Sequence, residues 1–165
     1  MKKIIPYLMA ATFALFSFSC TSDDDRVDYD TYSVVYDLKN VNFESTPNGF
    51  QISRSFVNPL FESDMLLVYM QVDVTNNGSP IWQQIPTTFY LSDGHEVDYN
   101  FDFSRFDFMI YAGGTFNLAG SEFIHGKTFR VLVVPAQFGR SVVDLNNYDA
   151  VIAHYNLDDS NPTVL

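Results

Sequence analysis

The chain of 165 residues carries 9 Lys+Arg against 20 Asp+Glu, a formal net charge of −11, and one cysteine. That balance argues against a nucleic-acid binder, which needs Lys and Arg to neutralise phosphates, and against a peripheral grip on anionic lipid. A lone cysteine excludes a disulfide framework, and the length suits one domain with a sizeable core.

Lys2 and Lys3 precede an apolar run over residues 4–18. As a helix this run would span about 22 Å, short of the ~30 Å of hydrocarbon in a bilayer. It therefore reads as a signal peptide, residues 1–19, rather than a permanent span. The run closes on Ser17-Phe18-Ser19-Cys20. A small residue directly before a cysteine resembles the lipoprotein box, with Ser17 where Leu is usual and Phe18 where a small residue is usual. The resemblance implies that Cys20 is the first mature residue and carries the acyl groups that hold the protein to the membrane. Two or more acyl chains anchor a protein stably where one does not. Loss of Lys2 and Lys3 with the leader takes the net charge from −11 to −13.

Residues 20–31 include five Asp and almost nothing apolar. They cannot bury enough surface to offset ordering entropy, so they read as a disordered acidic tether. The run Ser22, Asp23, Asp24, Asp25 resembles the surface-export signal that follows the cysteine in lipoproteins of Bacteroidota. That resemblance implies an outer-membrane location facing the cell exterior.

From residue 32 onward the pattern has period two, and residues 32–165 read as one β-sandwich domain. Val97-Asp98-Tyr99-Asn100-Phe101-Asp102-Phe103-Ser104 alternates strictly, as a half-buried strand does, with Phe101 on the inward face. Residues 65–74 and 128–134 are denser in apolar and β-branched residues and suit central strands. Asn48-Gly49, Asn77-Gly78, Asp93-Gly94 and Gly113-Gly114 each separate two strand-like runs and tolerate the positive φ of tight hairpins. Pro59, Pro80, Pro86 and Pro135 fall at strand ends or loops. Leu145, Tyr148, Ile152 and Tyr155 recur at helical spacing behind Asp144, a candidate cap. The expected architecture is all-β: an antiparallel sandwich of about eight strands with one short C-terminal helix near residues 145–155.

The leader, Val34-Val35-Tyr36-Asp37-Leu38, Trp82-Gln83-Gln84-Ile85-Pro86, Tyr99-Asn100-Phe101-Asp102-Phe103 and Arg130-Val131-Leu132-Val133-Val134-Pro135 together resemble a group of small uncharacterised surface lipoproteins of the Bacteroidota type. The resemblance covers nearly the whole chain and brings no activity with it. Some members carry a dihydrolipoamide dehydrogenase label. Such an enzyme needs a redox cysteine pair and a Gly-x-Gly-x-x-Gly turn between strand and helix. This chain has one cysteine, and Gly113-Gly114 lies outside any such setting, so the residues do not support the label.

No other constellation rises above background. Asp98, Asn100 and Asp102 share a strand face, but i and i+4 on a strand stand about 13 Å apart, too far to share one ion. A solvated polar face explains them better. His95, His125 and His154 form no short-spaced ligand pair, and Ser121 and Ser141 lack a nucleophile elbow. No metal or cofactor is expected. Trp82, the only tryptophan, stands just past a turn beside Gln83 and Gln84. A sugar-stacking ring is one reading; a ring filling the end of the core among Leu91, Val97 and Tyr99 is the stronger one. The expectation is a surface-exposed lipoprotein whose sandwich is a non-catalytic structural or protein-interaction module. Its partners are the membrane, through Cys20, and an envelope protein or glycan. The alternative is a glycan-binding module for polysaccharide capture.

Overall fold

The computed structural model describes residues 33–136 and 143–165. Cys20, Ser22, Asp23, Asp24 and Asp25 lie outside the described residues. The strands are β1 (Val34–Val41), β2 (Glu44–Thr46), β3 (Gly49–Ser55), β4 (Asp64–Val74), β5 (Pro80–Ile85), β6 (Thr87–Tyr90), β7 (Glu96–Phe103), β8 (Asp107–Gly114), β9 (Lys127–Pro135) and β10 (Thr163–Val164), with helix α1 (Tyr148–His154) between the last two. One sheet has the order β10-β1-β9-β4-β5, the other β2-β3-β8-β7-β6. The fold is the all-β sandwich that the alternation implies, with ten strands among the described residues rather than eight. One pairing departs from the antiparallel rule: β10 runs parallel to β1, with Tyr36 opposite Thr163.

Burial explains why β4 and β9 are so uniformly apolar. Leu66, Leu67, Val68, Tyr69 and Met70 are all buried, as are the six residues from Phe129 to Val134. Their side chains alternate between two separate cores. Leu66, Val68, Met70, Phe129, Val131 and Val133 face the second sheet and join Leu38, Ile52, Val97, Tyr99, Phe108 and Ile110. Leu67, Tyr69, Leu132 and Val134 point the other way, against Val151 and Leu157, with Leu145, Tyr148 and Ile152 packed alongside. The first sheet is therefore the middle layer of three. The second sheet has only one buried face, and its strands alternate accordingly: β8 reads buried at Phe108, Ile110 and Ala112 only.

The turns divide. Gly49, Gly78 and Gly94 adopt φ of 116°, 84° and 87° and close the hairpins expected of them. Gly113-Gly114 does not form a turn. Both residues end β8, opposite Asp98 and Val97. Proximity favours glycine most at position 114, where a Cβ would lie 2.9 Å from the Glu96 backbone carbonyl oxygen and 3.1 Å from the buried Leu118 side chain, whereas at 113 it would meet only the movable Asp98 carboxylate. The β7–β8 connection is instead the glycine-free turn over residues 104–106, where the Ser104 N–H donates to the Asp107 carbonyl (2.8 Å). The helix is shorter than its apolar spacing suggested. Asn147, not Asp144, caps it by accepting from the Ala150 N–H (3.1 Å). Asp144 organises the preceding turn by accepting from the Asn146 N–H (3.0 Å).

Burial along β7 falls from Val97 (0% exposed) and Tyr99 (1%) through a half-buried Phe101 to Phe103 (43%). The inward face is as the alternation predicts, but it runs out of the sandwich at one end. Phe108→Ala, at a fully enclosed position, should cost about 3–5 kcal/mol. Phe101→Ala should cost clearly less. Urea unfolding of the two variants checks the ranking; equal losses would mean that the core extends past Phe101.

Candidate functional site

β1 and β9 are register partners, and the register sets Asp37 directly opposite Arg130. Both side chains lie on the helix-covered face, and both are buried, 2% and 8% exposed. Arg130 grips Asp37 with two donors, Nε to Oδ1 at 2.7 Å and Nη2 to Oδ2 at 2.9 Å. Its remaining terminal nitrogen, Nη1, donates to the Tyr148 hydroxyl (2.7 Å) and to Asp159 (3.0 Å). Tyr148 also donates to Asp159. The guanidinium plane sits 4.7 Å from the centre of the Trp82 ring, close enough for a cation–π contact. One buried cation thus joins β1, β9, β5, α1 and the segment after the helix.

The electrostatics follow from that enclosure. Burial works to lower the Arg130 pKa, but its hydrogen bonds to Asp37 and Tyr148, with the Asp37 charge, outweigh it and leave the pKa raised. Burial pushes the Tyr148 hydroxyl up, and its bond to Asp159 adds to this, with Arg130 opposing. Burial likewise raises Tyr69, whose hydroxyl donates to the Leu145 carbonyl (2.7 Å), and Tyr99, which donates to the Phe123 carbonyl (2.6 Å).

Trp82 is not where the sequence reading placed it. It projects from β5 opposite Gln71, away from Leu91, Val97 and Tyr99, and packs half-buried against the helix-side core. Its ring centre lies 5.8 Å from that of Tyr148. Gln83 points to the other face and donates to the Thr87 hydroxyl (2.8 Å), so it is no companion to the indole. The indole does line an open cleft of about 440 Å³ with Pro80, Ile81, Asn146, Asn147, Tyr148 and Asp149.

A second surface comes from the uncovered face of the other sheet. The register turns Glu44, Gln51, Tyr111 and Asn100 to the same side, with Asp98, Asp102, Glu96, Thr88 and Tyr90. Tyr90 is 79% exposed, and a broad cleft of about 570 Å³ runs beside it along Thr88, Glu96, Asp98 and Asn100. No Lys or Arg stands at these face positions. Asp102 is engaged by the Tyr111 hydroxyl (2.8 Å). Among the described residues no group of three or more His, Asp or Glu is placed to hold a metal ion. The structure does not gather the histidines: His95 touches Phe116 at the β6–β7 turn, His125 lies in the β8–β9 loop, and His154 contacts Tyr155 on α1.

The Arg130 network was missed from the sequence. The signal was there: Arg130 and Asp37 are single charges inside runs otherwise apolar enough for buried strands, where a charge needs a partner.

Removing one partner of a buried ion pair typically costs about 3–5 kcal/mol. Arg130→Met alone and Asp37→Leu alone should each lose about that much, while the double variant should recover a large part, measured by denaturant unfolding. The raised tyrosine pKa values fix an alkaline limit as well. A group with a folded pKa above its unfolded value of 10.0 contributes stability that is complete below pH 10 and is lost as pH rises further. Unfolding should therefore set in above pH 10, with tyrosinate absorbance and loss of circular dichroism rising together. A scan against protein-family models found no match, and comparisons with curated proteins and with solved structures found none either.

Proposed function

We propose that the protein is a lipid-anchored lipoprotein of the outer membrane, held by acyl groups on Cys20. Ser22, Asp23, Asp24 and Asp25 direct it to the cell exterior, and its sandwich is a non-catalytic interaction module. The observation that supports this best is the asymmetry of the two outer faces. One is closed by α1 and pinned by Arg130. The other is an open sheet face bearing Glu44, Glu96, Asp98, Asp102, Tyr90 and Tyr111 without a single basic side chain. A flat face of tyrosines, amides and carboxylates suits a protein surface of complementary positive charge.

A second reading, glycan capture, is favoured by one feature. The Trp82 cleft sets an indole beside Asn146, Asn147 and Asp149, an apolar ring with hydrogen-bonding neighbours.

Cys20→Ala should abolish acyl labelling and leave a precursor that keeps its leader. A photo-crosslinking phenylalanine placed at Tyr90 or Tyr111 should give a discrete adduct in native envelopes, and the same group at Tyr155 should not. If labelling at Tyr90 and Tyr111 is no stronger than at Tyr155, the open face is not the interaction surface. A shift in Trp82 emission on adding polysaccharide, with no crosslink at the open face, would put glycan capture in its place.

A further inference from the structure

The ends of the sandwich differ, and the difference bears on how the protein sits. Val34, the first residue of β1, pairs with Val133, and Val133 pairs with Leu66 near the start of β4. The loop over residues 56–63 and the β7–β8 turn lie at this same pole, because the loop leads into β4 and Ser55 pairs with Asp107. The pole carries four exposed apolar side chains: Val57 (85%), Phe61 (48%), Phe103 (43%) and Phe106 (62%). They are presented on a tied frame. The Phe56 N–H donates to the Phe106 carbonyl and the Leu60 N–H to the Arg105 carbonyl, both at 2.8 Å. Arg105 Nε returns a bond to the Leu60 carbonyl (2.7 Å). Asp64 accepts from the Phe61 N–H (2.9 Å).

These rings are only partly covered by the chain itself: about half of Phe61 and Phe103 and more of Phe106 stay open to the surroundings. Such patches mark contact with another surface. Three observations select a lipid surface. The first is where the chain enters the fold. Val34 is 14 residues after Cys20, a reach of about 50 Å at full stretch, and it enters the fold at this pole. The opposite pole is a further ~35 Å away, the length of the 11-residue β4 at about 3.3 Å per residue. The second is chemistry: phenylalanine and aliphatic tips enter the boundary between headgroups and acyl chains. The third is charge. Arg54 and Arg105 are offset by Glu62, Asp64 and Asp107, and Arg105 is paired with Glu62 at 3.5 Å, so nothing here draws an anionic headgroup specifically.

We propose that Val57, Phe61, Phe103 and Phe106 form a membrane-seating surface. They rest in the interface of the bilayer that holds Cys20 and orient the sandwich with its opposite pole outward. This rests on the lipoprotein reading and adds to it an orientation. The contact is apolar, so it requires no anionic lipid and is insensitive to salt.

The test uses the mature acylated protein in phosphatidylcholine vesicles, with and without bromine on the acyl chains. Bromine quenches tryptophan only at close range. Native Trp82 lies opposite Gln71, seven residues along β4 from Asp64, roughly 23 Å from the pole, and should be little affected. Phe106→Trp should add emission of which about half is lost in brominated vesicles, since interfacial side chains sit about 5–10 Å into the boundary. Tyr90→Trp, at the far pole, should add emission that is not lost. Phe61→Trp repeats the measurement if Phe106→Trp fails to fold, and 0.5 M salt should change neither result. A protein that is acylated and floats with vesicles, yet shows no more quenching for Phe106→Trp and Phe61→Trp than for Tyr90→Trp, overturns the seating and leaves the anchor standing. Quenching that appears only with anionic lipid also overturns it. Absence of acyl groups on Cys20 by mass spectrometry, with no flotation, removes the lipoprotein reading itself and the seating with it.

Discussion

The Arg130–Asp37 pair is the constraint on which the three-layer arrangement depends. The inner core between the sheets would form from alternation alone. The outer core needs the helix and the segment around it to lie on the first sheet, and the described part of that segment offers a modest apolar surface: Val151 and Leu157 buried, with Leu145, Tyr148, Ile152 and Tyr155 alongside. Arg130 adds direction to that apolar contact. It can satisfy its donors only if Tyr148 and Asp159 both arrive from the C-terminal segment. A buried guanidinium left with one carboxylate would carry unpaired donors at a cost of several kcal/mol. Hydrophobic burial brings the layer down, and the cation decides where it lands.

That third layer makes the molecule two-sided. Strands β4 and β9 are buried on both faces and lose their alternation; β7 and β8 are buried on one and keep it. The free face of the second sheet is then available for recognition without any loss of core. Its acidity also protects it, since like charges discourage the face-to-face stacking of two copies. The short edge strand β6 and the proline that opens β5 serve the same end, because each limits edge-on pairing.

The two poles show a similar division. At the far pole the loops are polar or glycine-bearing, with Asn77, Gly78, Asp93 and Gly94 at their tips. At the pole where β1 begins, rings crowd the rim, and β7 carries its inward face past the sandwich, so that Phe103 emerges beside Phe101. The far end is not free of apolar surface, since Val74, Ile81 and Tyr90 are exposed there, but the exposed phenylalanines, Phe61, Phe103 and Phe106, all lie at the pole where β1 begins.

The amino-acid pattern by itself determined the fold class, the central strands and three of the four glycine turns. Those features depend on local period and on φ preference, which neighbouring residues specify. Gly113-Gly114 shows where this stops. A glycine pair is the same letter code whether it allows a turn or makes room for a neighbouring backbone, and only the approach of the Glu96 carbonyl to Gly114 tells which. Trp82 was misplaced for a related reason. Alternation states which residues share a face, but not what covers that face, and the helix that covers it lies more than sixty residues further on. The Arg130 site depends on the longest reach of all. Asp37 and Arg130 are 93 positions apart, Arg130 alone among apolar neighbours and Asp37 with only the exposed Lys39 nearby, at 3.6 Å. Only when the β1–β9 register sets them side by side, and Tyr148 and Asp159 close over them, do two separate irregularities become one satisfied network.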